Sequence, residues 1–296
     1  MADHFDASAY LEANPDVASA IGEGRMRSAW SHYVHWGFRE RRAGVPDAVR
    51  GLVRAVMEVP VATPPARLIL RVHGTSDAPG FEQAGRIVAL DIYTAVDAHL
   101  SLDRPMRILD FGCGCARVLR CMGRIAFLST IYASDIDGEA IGWCRENYSD
   151  DVRRGRCRFT VNGDLPPVPF PSGFFDFVYA ISVFTHLPEV LQLRWLGELR
   201  RVTRPGGILA LSTQGDALIR KHLSPENCRL LDEKGFYYFP YGGTEGLPDY
   251  YQAAWHARSY IERTWSRFFN IVEQIPAGVA EHQDLILCRK PAPAVI

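Results

Sequence analysis

Residues Arg107 to Arg117 read R-I-L-D-F-G-C-G-C-A-R, and residues Ile131 to Asp137 read I-Y-A-S-D-I-D. Each stretch contains a short apolar segment that is followed by glycine or acidic residues. This pattern is typical of a buried strand that leads into a functional loop. Glycines at 112 and 114 permit a tight turn and let a ligand approach the backbone without a Cβ atom in the way. We therefore expect a ligand-binding edge where these two strands end.

Apolar segments alternate with amphipathic helical segments along much of the remaining chain. The predicted strands cover 106–110, 130–135, 158–161, 175–181 and 208–212, followed by a closing pair near 269–275 and 284–290. The predicted helices cover 81–100, 116–127 and 138–147, and another begins after Pro188. This alternation predicts crossover connections and an α/β fold with a doubly wound, mainly parallel sheet that carries helices on both faces.

Composition and charge narrow the class of protein. The 296 residues are 47% hydrophobic, so the chain is expected to fold. Its formal net charge of -1 gives the chain no overall attraction for nucleic acid. No stretch approaches the roughly 20 unbroken apolar residues of a membrane-spanning helix. The acidic start, MADHFDASAY, differs from a signal peptide, and we expect a cytoplasmic protein.

The first 44 residues have a different character and predict a small N-terminal helical module. Asn14-Pro15-Asp16 breaks one helical pattern, and Trp30, Tyr33 and Val34 share a face of another. Because so short a unit buries little surface, these helices are expected to pack on the main body, on a protein partner or on a second copy. We divide the chain into this module (1–44), a linker and cover of the ligand site (45–80) and the main domain (81–296).

The module also resembles a short helical unit found beside bacterial glycan-processing enzymes. The resemblance implies a glycan-related context and says nothing about chemistry. The matching residues are Tyr10, Leu11, Asn14, Pro15, Asp16, Val17, His32, Tyr33, Gly37, Glu40 and Arg42.

Seven cysteines are an odd number in a chain large enough to build its own core, which favours reduced thiols over a disulfide framework. The pair Cys113-Gly-Cys115 is one residue too close for the usual C-x-x-C metal or redox spacing. We predict no metal site.

The loop residues Asp135 and Arg117 narrow the choice of ligand. Asp135 can accept hydrogen bonds from both hydroxyls of a ribose, although it can also cap a helix, as Asp137 is expected to do. A dinucleotide turn of the G-x-G-x-x-G kind needs a glycine at 117, where the bulky Arg117 stands instead. The pattern is Asp110-x-Gly112-x-Gly114, which leaves a nicotinamide dinucleotide disfavoured.

On these motifs the chain resembles the class I S-adenosylmethionine-dependent methyltransferases over roughly residues 70–290. Besides the glycine turn and the acidic loop, three later motifs occur in the family's order. They are Asn162-Gly163-Asp164-Leu165 with its following prolines, the strand and loop Phe174–Leu187, and Leu199–Gly207 before the fifth strand. Ala116 takes the place of a third glycine that is often found in the first motif. The resemblance implies a seven-stranded Rossmann-like sheet with an antiparallel last strand.

The resemblance also implies S-adenosylmethionine as cofactor and a set of residues that contact it. That set is Asp110, Gly112, Gly114, Arg117, Asp135, Ile136, Asp164, Leu165 and Ser182. Two of these residues have simpler alternative roles. Asp164 can cap a turn instead of reaching the adenine, and Arg117 can be a solvated residue of the first helical turn instead of lying near the cofactor carboxylate.

The methyl of a sulfonium is already electrophilic, so catalysis mainly requires an aligned acceptor, exclusion of water and, for a hydroxyl acceptor, a nearby base. His186 follows the fourth strand and is the first candidate base, although it can also cap the next helix. His73 is the second candidate, and His256 and His282 are more distant options.

The segment at about 213–268 is expected to form a lid over the acceptor. Tyr241, Tyr250 and Tyr251 are candidate acceptor contacts, since aromatic faces with hydroxyl tips suit a sugar or a flat metabolite; the other reading is a core for the lid. Motifs that accompany methylation of nucleic-acid bases are absent, so we predict a small-molecule or glycan acceptor, methylated at a hydroxyl. The alternatives are an NAD-dependent oxidoreductase and an inactive cofactor-binding scaffold.

Overall fold

The computed structural model describes residues 5–60, 62–239 and 243–292. Its main sheet has seven strands in the spatial order β3-β2-β1-β4-β5-β9-β8, and a separate ribbon pairs β6 with β7. The strands are β1 (Arg107–Phe111), β2 (Thr130–Asp135), β3 (Cys157–Val161), β4 (Phe175–Ala180), β5 (Thr203–Thr213), β6 (Phe236–Phe239), β7 (Ala253–His256), β8 (Asn270–Val279) and β9 (Gln283–Arg289).

The sheet is mainly parallel, as predicted. Strands β1 to β5 pair in parallel, and β9 is antiparallel to both of its neighbours, β5 and β8. The strand order reverses at β1, because β2 and β3 lie on one side of it and β4 and β5 on the other. The carboxyl ends of β1, β2 and β4 therefore meet at one edge, where a doubly wound sheet binds its ligand.

The helices connect the strands and cover both faces of the sheet. They are α1 (Ala7–Ala13), α2 (Pro15–Gly22), α3 (Ala29–His32), α4 (Asp47–Met57), α5 (Ala66–His73), α6 (Ala78–Asp97), α7 (Leu119–Ile125), α8 (Gly138–Asn147), α9 (Ser149–Arg153), α10 (Glu189–Val202), α11 (Asp216–His222), α12 (Pro225–Lys234) and α13 (Arg258–Thr264). A π-helical stretch at Tyr33–Gly37 continues α3, and a 3₁₀ turn at Trp265–Arg267 follows α13. None of the described helices has the length and apolar character that crossing a bilayer requires.

Alternate residues of each strand point to opposite faces, which produces two separate cores. In β1, Ile108 joins the core that contains α4, α6 and α7, whereas Leu109 joins the core beneath α10 and α13. The same alternation separates Tyr179 from Val178 in β4. Burial on both faces explains why these strands read as nearly continuous apolar runs in the sequence.

The N-terminal helices share the first of these cores with the main domain. Tyr10, Val17 and Tyr33 are buried in the same apolar cluster as Ile87 and Val88 of α6. The segment 45–80, which was predicted as a linker, contains the helices α4 and α5 and the start of α6. The N-terminal helices thus pack on the main body within this single chain.

Three local predictions differ from the structure. Helix α7 begins at Leu119 rather than at 116, because Ala116 has a φ of 62° and so belongs to the turn. The fifth strand was predicted to begin at 208, after Arg204–Gly207, but β5 already begins at Thr203. The spacing of Ala254, Ala257, Ile261, Trp265 and Phe268 predicts one helix, which is wrong at its start, since Ala254 lies in β7 and the helix begins only at Arg258.

Candidate active site

The turn after β1 brings two glycines close to the neighbouring elements. Gly112 and Gly114 have φ values of 78° and 50°, in the left-handed region that glycine adopts without strain. A Cβ atom at Gly112 would collide with Val183, and one at Gly114 would lie 2.6 Å from Val72 Cγ2. Larger residues at either position would therefore displace the walls of the cleft that opens here.

Asp135 at the end of β2 is tied to this glycine turn. Its Oδ2 accepts a hydrogen bond of 2.7 Å from the Gly114 backbone N–H, and its Oδ1 accepts one of 2.8 Å from the Asp137 N–H. Burial raises the pKa of Asp135 to about 6. The carboxylate is thus held in one orientation by two backbone donors, at the lip of the cleft.

Asp137 caps helix α8, as the sequence predicted. Its Oδ1 accepts hydrogen bonds from the backbone N–H groups of Glu139 and Ala140, at 3.0 and 3.1 Å. Both acidic residues of this loop line the cleft, but only Asp137 caps the helix.

A cavity opens along the carboxyl ends of β1, β2 and β4. Its wall combines the glycine turn, the acidic loop, the loop after β3 and two tyrosines from the segment between β6 and β7. The predicted cofactor and acceptor contacts that line it are Gly112, Gly114, Arg117, Asp135, Ile136, Asp164, Ser182, Tyr250 and Tyr251. We call this space the first cavity.

Arg117 lies on the wall of the first cavity and has no carboxylate partner among the residues that the structure describes. Its Nη1 is 3.3 Å from His73 Nδ1, and its buried Nε has no hydrogen-bond partner. Burial lowers the pKa of the Arg117 guanidinium, which nevertheless stays charged at neutral pH. An uncompensated cation at this point favours an anionic group of a ligand.

A second cavity of about 680 Å³ adjoins the first. The two share Arg71, Val72, Arg117, Ile181, Ser182 and Tyr251 as common wall. Beyond that wall the second cavity is lined by His73, His186, His282, Glu245 and Gln283, among others. Polar and titratable side chains therefore surround this space, next to the cleft.

His186 is held by the segment that leads into β7. Its Nδ1 lies 2.8 Å from the carbonyl oxygen of Gln252, and its ring stacks on Tyr251 with 4.1 Å between centroids. Since a carbonyl only accepts, Nδ1 carries the proton and the lone pair lies on Nε2. Burial lowers the pKa of His186 to about 4, so the ring is neutral at physiological pH.

The loop that carries His186 is braced by a buried amide. Gln192 Nε2 donates to the carbonyl oxygens of Phe184 and Leu187 at 2.8 and 2.9 Å, and His256 Nε2 donates to Gln192 Oε1 at 2.9 Å. His256 is buried away from both cavities, which makes it a structural residue.

Two of the predicted cofactor contacts do not line either cavity. Asp110 is buried beneath the glycine turn, where the Tyr179 hydroxyl donates to its Oδ2 at 2.8 Å, because residues of β1 alternate between the two faces. Leu165 is about half exposed and does not line either cavity. Tyr241 falls outside the described residues.

Arg71 was not predicted as a site residue, although it lies on the wall of both cavities. Arg71 belongs to α5, and no motif surrounds it. Its Nη1 lies 2.9 Å from both Asp137 Oδ2 and Glu139 Oε2, and its Nε donates to the Glu245 carbonyl oxygen at 3.0 Å.

Within the described residues, no group of three or more His, Cys, Asp or Glu side chains is arranged to hold a metal ion.

Residues 109–211 match the family model described as "Methyltransferase domain". This segment runs from β1 through β5 and contains the glycine turn, Asp135, Asp164 and Ser182. This part of the chain is therefore similar to a methyltransferase domain. The match agrees with the predicted class, the S-adenosylmethionine-dependent methyltransferases, and with S-adenosylmethionine as cofactor.

Curated relatives align with this methyltransferase domain over less than half of this chain. The sterol 24-C-methyltransferase erg6 of Schizosaccharomyces pombe is 31% identical over 121 residues, which are 39% of this chain and 31% of that protein. The malonyl-[acyl-carrier protein] O-methyltransferase of Pectobacterium atrosepticum is 32% identical over 117 residues, which are 38% of this chain and 40% of that protein. The chain thus spans less than half the length of these relatives.

A solved structure agrees with the fold of the domain. A chain from a complex that contains the Haloferax volcanii Trm112 methyltransferase activator superimposes with a TM-score of 0.52 at 13% identity. The alignment covers 78% of this chain and 100% of that chain. The seven-stranded methyltransferase sheet predicted from the sequence is therefore confirmed.

Proposed function

We propose that this chain transfers a methyl group from S-adenosylmethionine to a hydroxyl of a small-molecule or glycan acceptor. The observation that carries the proposal is the common wall of the two cavities. The first cavity is lined by most of the residues predicted to contact a cofactor, and the second is large enough for an acceptor and has three histidines on its wall.

The chemistry of the first cavity suits an adenosine that bears an amino-acid tail. Asp135 accepts hydrogen bonds from the ribose hydroxyls, since an ionised carboxylate is an acceptor only. Asp164 accepts from the adenine amine, and the Arg117 guanidinium pairs with the carboxylate of the tail. The unpartnered Nε of Arg117 and the glycine turn without Cβ atoms both support this fit.

S-adenosylmethionine supplies an electrophilic methyl group, so the residues of this chain need only position the acceptor and exclude water. The shared wall includes Ile181, Ser182 and Tyr251. The methyl group would be transferred at this boundary between the two cavities. Ser182 has a φ of 59°, an uncommon conformation for a residue other than glycine. Such local strain is found at functional sites whose geometry is fixed by their surroundings.

We assign the general-base role to His186 rather than to His73. The Nδ1–H of His186 donates to the Gln252 carbonyl, which fixes the tautomer that has its lone pair on Nε2. In His73 the lone pair of Nδ1 already faces the Arg117 guanidinium at 3.3 Å, so its Nε2 carries the proton. His73 therefore acts as a hydrogen-bond donor that orients Arg117 or the acceptor.

Carbon is the second candidate acceptor atom. Several curated relatives are named as sterol 24-C-methyltransferases, whereas the Pectobacterium relative is named as an O-methyltransferase. A His186 ring with a pKa of about 4 is a weak base, which fits an acceptor that needs little proton removal. The glycan option is supported by the N-terminal resemblance and by the polar wall of the second cavity.

Two measurements test the proposal. Calorimetric titration with S-adenosylhomocysteine is expected to give a micromolar dissociation constant, and titration with NAD is expected to give no heat. Methyl-labelled S-adenosylmethionine is then offered with panels of sugars, hydroxylated metabolites and sterols, and the labelled position is located by mass spectrometry and NMR. No binding of S-adenosylhomocysteine would refute the proposal, and label on carbon would replace the hydroxyl with the second candidate.

A further inference from the structure

The N-terminal part of the chain contains a cavity of about 450 Å³ that is separate from both cavities of the methyltransferase domain. It lies between the turn after the π-helical stretch and helix α4. The lining residues are Tyr33, Phe38, Arg39, Arg41, Arg50, Arg54 and Glu58. We call it the arginine cavity.

The charges on its wall are unbalanced. Four arginines and one acidic residue, Glu58, line the cavity, and Arg50 also pairs at 3.7 Å with the exposed Asp47. Arg41 and Arg54 have no ion pair with any described residue, and Arg39 donates only to the neutral Gln83 side chain at 3.4 Å. Because the whole chain has a net charge of -1, this concentration of positive charge is local. Like charges that are held together without a partner favour a bound anion.

A buried hydroxyl is the second, independent sign of a ligand. Tyr33 is only 1% exposed, and its hydroxyl has no hydrogen-bond partner. The nearby Arg50 and Arg54 charges oppose the rise that burial causes in the pKa of Tyr33, so both guanidinium groups lie close to this ring. The buried Nε of Arg50 makes no hydrogen bond either, and its ion-pair contact with Asp47 is long, at 3.7 Å. Unpaired buried donors are costly, and a ligand oxygen would satisfy them.

We propose that the arginine cavity binds the phosphate group of a small organic phosphate. Guanidinium groups match the geometry of phosphate through paired N–H donors, and several of them are needed to balance a dianion. A single carboxylate would leave most of this charge uncompensated. Phe38 packs edge-on against Tyr33, and these two rings give an apolar wall for the organic part of the ligand.

The proposal is tested with the full-length protein and two probes, inorganic pyrophosphate and phenyl phosphate, and inorganic phosphate is titrated for comparison. Calorimetric titration is expected to show saturable binding of both, with phenyl phosphate tighter than inorganic phosphate because of the aromatic wall. Arg54→Gln is expected to weaken pyrophosphate binding at least tenfold. Arg25→Gln removes the same charge from an exposed arginine that pairs with Glu23, and it is expected to leave the affinity unchanged.

Tyr33→Phe separates a binding role from a structural one. The variant keeps the ring, so the melting temperature without ligand is expected to stay equal or to rise, while the increase caused by pyrophosphate becomes smaller. Absence of binding at millimolar pyrophosphate, or equal losses in the Arg54 and Arg25 variants, would overturn the proposal. Binding only to vesicles that contain phosphatidic acid, and not to the soluble probes, would also overturn it. S-adenosylhomocysteine binding serves as the control for folding, because none of these residues lines its cavity.

Discussion

Arg71 Nη1 lies 2.9 Å from Asp137 Oδ2, and this ion pair is largely buried, with side-chain exposures of 15% and 8%. Arg71 comes from α5, before the main domain, whereas Asp137 caps α8 after the acidic loop. The Nε of the same arginine donates to the carbonyl oxygen of Glu245. The Arg71 side chain therefore connects helix α5 with the loop between β2 and α8 and with the segment around Glu245.

Replacing Arg71 is expected to loosen this junction. Arg71→Met leaves the Asp137 carboxylate buried without its partner, which should lower the free energy of unfolding by about 3 kcal/mol. Hydrogen exchange of the backbone around 243–251 should become faster, and S-adenosylhomocysteine should bind less tightly. Arg67→Met is the matched control, because Arg67 is on the same helix and its ion pair with Glu139 is mostly exposed. Unchanged exchange in the Arg71 variant would show that this contact does not hold the lid segment.

Asp135 is expected to determine both the strength and the pH dependence of cofactor binding. Asp135→Asn removes a charged acceptor, and the loss of about 1.5–3 kcal/mol corresponds to roughly tenfold to a hundredfold weaker binding of S-adenosylhomocysteine in calorimetry. Since the pKa of Asp135 is about 6 in the free protein, affinity should fall as the pH decreases from 7 to 5 and the carboxylate gains a proton. The variant should lack this dependence. Asp150→Asn, at an exposed site, is the control, and an equal affinity in the Asp135 variant would contradict the ribose assignment.

His186→Ala is expected to separate binding from turnover. Loss of a general base typically slows a reaction by about 10²–10⁴-fold, while S-adenosylhomocysteine affinity should stay the same because His186 does not line the first cavity. With a pKa of about 4, the neutral ring persists from pH 9 down to pH 5, so the wild-type rate should be flat over that range with respect to this group. His99→Ala, beyond both cavities, serves as the control. An unaltered rate would remove His186 as the base.

Asp110 is expected to make the stability of the fold depend on pH. Burial raises the pKa of Asp110 to about 8, so the native state holds a proton that the unfolded chain releases near pH 4. The contribution to stability is fully present below pH 4 and decreases as the pH rises to about 8. Asp110→Asn keeps an acceptor for the Tyr179 hydroxyl, and its melting temperature should decrease less than that of the wild type between pH 5 and 8. Parallel curves for the two proteins would contradict this titration.

Two glycine substitutions are expected to have opposite effects. Gly112→Ala places a Cβ atom against Val183 at a φ of 78°, so both the melting temperature and S-adenosylhomocysteine affinity should fall. Gly123 lies within α7 with no atom in reach of an added Cβ, so Gly123→Ala should stabilise the protein by about 0.5–1 kcal/mol. Thermal unfolding with and without ligand checks both variants. Similar behaviour of the two would mean that the turn after β1 has room for a side chain.

The local patterns of the sequence predicted most of the strands correctly. Thr130–Asp135 and Gly138–Asn147 have the predicted bounds, because a buried strand and a capped amphipathic helix are encoded by neighbouring residues. The prediction failed around Ala254, where apolar residues three and four apart were interpreted as one helix. There the pairing of β7 with β6 overrides the local pattern, and such pairing depends on residues distant in the chain.

The candidate cofactor site was also predictable in part. Parallel strands in a doubly wound sheet end at one edge, so residues such as Gly114 and Asp135 could be placed together from their positions alone. Asp110 could not be separated from them, because only the direction of its side chain, toward Tyr179, removes it from the cavity wall. The contact between Arg71 and Glu245 could not be predicted either, because the two residues are 174 positions apart and no sequence motif marks such a contact.

By itself, the sequence determined the alternation of elements, the glycine turn, the acidic loop and the class of cofactor, because each depends on spacing within a short segment. Only the tertiary structure decided which histidines line the second cavity, which arginines remain without an ion pair and how the second cavity adjoins the first. These properties depend on burial and on contacts between distant segments. The charges and hydrogen bonds that define them arise only when helices from both ends of the chain pack around one sheet.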